Sequence, residues 1–291
     1  MRNLALFPLL ALLALASTAS AQSGNFIVSQ HGVSVGKASF NFTASPTGYD
    51  SSALVIINMK GLDKMPGLDY SLSKTESLST ANHLRQVQLS AAVNGSAVNV
   101  TAEPETKSDQ TPNFFLTISA NGHATTTRLP AHAATVFLPD FDPGALETLL
   151  VLGVARNNRD LWAIIPKKEG SIVPIQLATY ADEKGTLDGS PVVVHHLVAT
   201  IAGAETELFS GPENQLLQAE YPQIGFALVR TGFVLTPPAK PGAPPTPPPG
   251  QSIAPPENQS PTPPPEPIPA PPPPADQNPA PPAEQSPQPP R

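Results

Sequence analysis

Six histidines, 23 acidic residues and no cysteine make up most of the chain's stock of groups that could hold a metal or do chemistry. Without cysteine there are no disulfides, no thiolate nucleophile and no thiolate-bound zinc. His195-His196 is the densest ligand-bearing pair. It falls in the apolar run Pro191 to Ile201, which reads as a strand, and neighbouring strand residues point to opposite faces. The two rings therefore cannot chelate one ion in regular geometry, and hydrogen-bonded strand histidines are the better reading. His31, His83, His123 and His132 add no ligand spacing. Asp140 and Asp142 form a carboxylate pair, but a loop accounts for the first and helix capping for the second. Glu205 and Glu207 share a strand face that reads as solvated. No nucleophile elbow, no phosphate-cradling Gly-rich loop with Lys and no His-Glu-x-x-His is read in the chain. The expectation is a protein without metal, cofactor or catalytic machinery, and not an enzyme.

The element that must organise the rest is the segment after Asp140-Phe141. Asp142 supplies an N-cap acceptor, Pro143 suits the first helical position, and Glu147 adds negative charge near the positive end of the helix dipole. Leu146, Leu149, Leu150 and Val154 recur at three- and four-residue steps. The spacing predicts a helix over 143–155 with one apolar stripe, acting as a plug or lid on the hollow of a curved sheet.

Around the helix the chain reads as short strands and turns. Phe40 and Phe42 share parity and point to one face, with Gly32 and Gly36 bracketing a turn before them. Asn94-Gly95 and Asn121-Gly122 sit between alternating runs, the signature of tight hairpins whose turn residues need positive φ. Asp160 to Ile165 reads as a buried strand with Trp162 in the core. Pro174 marks an edge or a bulge in the next strand. The runs from Pro191 to Arg230 read as a four-strand antiparallel meander.

Both ends carry signals of another kind. Arg2, the apolar run Leu4 to Ala16 and Ala19-Ser20-Ala21 form a secretory signal peptide over 1–21, cleaved before Gln22, with a core too short to span a membrane. The formal charge of −7 becomes more negative once Arg2 is lost, which argues against nucleic acid and anionic membranes as partners. From Pro237 to Arg291 lie 26 of the 39 prolines. Such a segment can bury too little apolar surface to offset the entropy of ordering, so 237–291 reads as a disordered tail, a spacer or a docking segment. One all-β domain, 22–236, remains between them. A cysteine-free exported chain points to a bacterial source, in the periplasm or outside the cell.

The opening Ser29-Gln-His-Gly-Val-Ser-Val-Gly36 and the closing order Gly203-Ala-Glu-Thr-Glu-Leu-Phe209, Asn214 to Pro222, Ile224 to Arg230 resemble exported bacterial β-proteins of the lipoprotein-carrier and lipocalin-like half-barrel kind. The likeness is one of layout. It implies a strongly curved antiparallel sheet or incomplete β-barrel with an apolar hollow, suited to binding a hydrophobic or lipid-like group. On that reading Phe40, Phe42, Leu146, Leu149, Leu150 and Trp162 are expected to line the hollow. The long tail departs from a simple carrier and supports an alternative, a cell-envelope structural or interaction protein tethered through the tail. The first expects an open pocket; the second expects a filled core with exposed apolar patches.

Overall fold

The computed structural model describes residues 21–60, 67–105, 113–168 and 170–237. Apart from Ala21 and Pro237, the expected signal peptide and proline-rich tail lie outside the described residues.

Eight strands come first: β1 (Ala21–Gln30), β2 (Val33–Ser45), β3 (Gly48–Asn58), β4 (Asp69–Ser79), β5 (Leu84–Val93), β6 (Ser96–Pro104), β7 (Asn113–Ala120) and β8 (His123–Pro130). Each pairs antiparallel with the next. Their burial has the period of two that a one-sided sheet requires. In β4, for example, Tyr70, Leu72, Lys74, Glu76 and Leu78 are buried while Ser71, Ser73 and Thr75 are exposed. The turns follow the same local chemistry. Asn94-Gly95 has φ of 51° and 85°, and Asn121-Gly122 has 51° and 78°, as expected for tight hairpins. The expected turn bracketed by Gly32 and Gly36 is shorter: His31-Gly32 makes it, and Gly36 lies inside β2. There a Cβ would run into the Ile56 carbonyl of the neighbouring strand, so glycine is required for close pairing.

The second half comprises β9 (Thr135–Phe137), α1 (Pro143–Ala155), β10 (Leu161–Ile165), β11 (Ser171–Thr179), β12 (Glu183–Leu187), β13 (Ser190–Ile201), β14 (Ala204–Ser210), β15 (Leu216–Tyr221), β16 (Phe226–Arg230) and β17 (Phe233–Leu235). β16 pairs with β1, so the first meander continues through β16, β15, β14, β13, β11 and β10 to β9, which joins in parallel. Among the described residues no ladder joins the outer strands β8 and β9. The result is a large curved sheet, mainly antiparallel, that does not close into a barrel. Pro174 sits one residue outside the β11–β13 ladder, which starts at Ile175, so its missing N–H breaks no ladder bond to β13.

The strands β12 and β17, which the sequence reading passed over, pair with each other, and β12 also pairs with the first half of β13. They carry a second small core of Val194, Phe209, Leu217 and Phe233. The doublets Leu208-Phe209 and Leu216-Leu217 show why. Leu208 and Leu216 enter the main core, while Phe209 and Leu217 enter the second, so β14 and β15 are covered on both faces.

The helix starts as expected. Asp142 caps it, its Oδ1 accepting from the N–H groups of Gly144 at 2.8 Å and Ala145 at 3.1 Å, with Pro143 at the first position. It is not a lid with a single stripe. Every residue from Pro143 to Leu150 is buried, as are Leu152 and Gly153, whereas Val154 is 58% exposed and does not belong to the buried set. α1 packs on β2, β3, β9 and β15 and fills this part of the hollow as its core.

Candidate functional site

The centre of the domain holds charge, and β4 puts it there. Lys74 and Glu76 share parity with Tyr70, Leu72 and Leu78, so the strand's apolar alternation carries them inward. Lys74 Nζ lies 2.8 Å from Glu76 Oε2 and 2.7 Å from Asp142 Oδ2, and all three side chains are wholly buried. The Glu76 Oε1 atom accepts from the Phe137 N–H at 3.2 Å, which ties β9 to β4. Burial works against the Lys74 charge, but Asp142 and Glu76 together hold its pKa above the ordinary value. Burial also pushes the Glu76 carboxyl up, against the pull of Lys74. Thus the helix cap is part of a three-member ion cluster, and both elements depend on it.

A second buried acid pins the other side of α1. Glu147 Oε2 accepts from the Leu216 N–H at 2.7 Å, where the β14–β15 register shifts. Its Oε1 is buried without a hydrogen-bond partner. Burial raises its pKa to about 7, against the opposing effects of the Leu216 hydrogen bond and the Arg230 charge. Glu147 lies beyond the first turn of α1, so instead of complementing the helix dipole its side chain is an internal clamp.

Away from α1, under β4 to β7, the hollow stays open. A cavity of about 270 Å³ has a floor that includes Leu72, Leu89 and Val100 and a rim formed by Pro139-Asp140 and Pro166-Lys167. The floor residues are buried, and the strand interior supplies aliphatic walls because alternate residues of β4, β5, β6 and β7 face it. Lys167 pairs with Asp140 across the rim. Asp140 is set apart from Asp142 by Phe141, whose φ of 56° turns the chain between them, so one acid faces the rim and the other the core. The Tyr70 hydroxyl donates to the Asp140 carbonyl at 3.2 Å. Burial, then the charges of Asp140 and Asp142, push the phenols of Tyr70 and Tyr221 upward.

None of the six expected lining residues meets this cavity. Phe40, Phe42, Leu146, Leu149 and Leu150 are packed into the solid core around α1. Trp162 is half-buried and stacks on His132, with ring centroids 3.9 Å apart. The reason is that α1 occupies the hollow with nearly all its faces, so the open space lies beyond it, beneath strands the reading had not assigned to the hollow.

The remaining chemical candidates are spread out. His195 Nδ1 lies 2.9 Å from Asp182, and His196 Nδ1 lies 3.3 Å from Glu183, so the pair splits toward separate carboxylates as neighbours in a strand must. His196 is also sandwiched between Tyr180 and Phe209. Among the described residues no group of three or more His, Asp or Glu has metal-binding geometry. Glu207 approaches His196 Nε2 at 3.6 Å while Glu205 is exposed. Gly32-Val-Ser-Val-Gly36 does spell Gly-x-Ser-x-Gly, a match the motif reading overlooked. It forms a hairpin turn and a strand with Ser34 exposed, which is not the strand–turn–helix setting of a nucleophile elbow.

No family model and no curated protein matches the chain. Among solved structures, the chain is similar to a β-barrel-like protein of a domain of unknown function, DUF1849, from Brucella abortus. That similarity has 10% identity and a TM-score of 0.46, over 74% of this chain and 97% of the other.

Proposed function

We propose that the domain is an exported, non-enzymatic binding protein that holds a small hydrophobic or lipid-like molecule beneath β4 to β7. The observation that carries this reading is the open apolar cavity of about 270 Å³. Protein interiors are normally close-packed, and an unfilled void forfeits contacts on every wall. An apolar concavity that opens to solvent favours an apolar guest, whose burial there removes apolar surface from water. The volume lies near the low end for ligand sites, so the guest is smaller than a two-chain lipid. The signal-peptide pattern and the cysteine-free composition support delivery to a bacterial envelope or beyond. Extraction of protein purified from its native host, followed by mass spectrometry, should recover one apolar compound per chain. Clean protein with an empty extract would count against the reading.

A second reading draws on a different surface. Ile27, Leu54 and Ile56 are 48%, 48% and 43% exposed and surround Lys37 on the outer face of β1 to β3. Such a strip suits an envelope interaction protein tethered by its proline-rich tail. An empty extract would favour this alternative.

A further inference from the structure

The polar groups on the cavity rim carry information about the ligand's head, and this step rests on the binding role proposed above. Lys167 and Asp140 are the two charged side chains lining the cavity among the described residues, and they neutralise each other. They are not equivalent. Lys167 is 67% exposed at its side chain and sits on a long flexible stem, whereas Asp140 is 32% exposed and its carbonyl is held by Tyr70. Freed from its partner, Lys167 swings into water at small cost. Asp140 cannot do the same. Its short side chain hangs from a backbone fixed by the Tyr70 hydroxyl, with Asp142 two residues on. Displacing the lysine with an anion would leave that carboxylate uncompensated; displacing it with a cation would keep it paired.

We propose that the cavity takes a cationic amphiphile, a short apolar chain or ring bearing an ammonium that replaces Lys167 on Asp140. The apolar part fills the floor at Leu72, Leu89 and Val100, and the head exchanges one ammonium for another at the rim. Asp140 stays paired through the exchange while Lys167 keeps its charge in water, and the entering chain supplies the burial that drives it.

The test uses decylamine, decanol and decanoate below their micellar concentrations, titrated calorimetrically into the full-length mature protein. Decylamine should bind more tightly than decanol by up to about fivefold, the range of a partly exposed ion pair, with decanoate weakest. Asp140→Asn should erase the amine's advantage over the alcohol. Lys167→Met, which removes the competing ammonium, should strengthen amine binding, and this second variant guards against a folding defect in the first. Equal binding of amine and alcohol, preference for decanoate, or an amine preference that survives Asp140→Asn would overturn the proposal while leaving the pocket reading intact. Failure of all three probes to bind would defeat both.

Discussion

Lys74 shows how far a single residue can bind distant parts of the chain. It joins the strand β4 to the cap of α1 through Asp142, and Glu76 beside it holds β9. Removing one partner from a wholly buried ion cluster leaves the others uncompensated, which costs more than the cluster itself contributes. Lys74→Met should therefore destabilise the domain by about 3–5 kcal/mol, read as a drop in the denaturant midpoint. Glu147 makes the opposite kind of prediction. Its carboxyl titrates near 7 in the fold, against an ordinary value of 4.5. A carboxyl whose pKa is raised by folding binds its proton more tightly in the native state. The destabilisation is absent below the unfolded value, grows as pH rises between the two, and is complete above about 7. Glu147→Gln should remove this dependence. Relative to the native chain, the variant should gain up to about 3 kcal/mol between pH 4.5 and pH 8, measured by denaturant unfolding at each pH. A flat difference across that range would show that burial does not hold the proton there.

At the scale of elements, α1 behaves as a core segment placed inside a sheet. Its start was legible because capping is local: Asp142 and Pro143 announce it, and the structure uses both. Its surroundings were not legible, because a stripe at three- and four-residue steps says which residues are apolar and says nothing of how many walls they meet. The two Asn-Gly hairpins were readable for the same local reason, and Asp188-Gly189 carried the same signal for the β12–β13 hairpin, whereas β17 joins β12 only across a long sequence separation. Lys74 and Glu76 carried a usable signal in their parity with Tyr70, Leu72 and Leu78. Charged residues are so rarely buried that neither was singled out from the sequence. Since α1 is enclosed, Leu149, wholly buried, should behave as a core residue. Leu149→Ala should cost about 2–5 kcal/mol with no gain in ligand binding. A much smaller loss, with altered binding, would restore the lid that the sequence suggested.

The whole molecule divides its interior between a filled half and an open one. α1 and its ion cluster occupy the space next to β2, β3, β9 and β15, and the hollow under β4 to β7 stays open. Sequence alone pointed to a curved sheet with an apolar hollow, and the six residues it expected to line that hollow do not meet the open cavity, since which strands face α1 is fixed by register and curvature. The most direct test of the binding role fills the open half from within. Ala91 lines the cavity on β5 and is half-buried, so Ala91→Phe should occupy the space without disturbing α1. Titrated with the neutral fluorophore N-phenyl-1-naphthylamine, the native chain should show saturable enhancement at one probe per chain, and Ala91→Phe should weaken it by about tenfold or more at similar stability. Equal binding by both proteins, or no saturable binding by the native chain, would contradict the account.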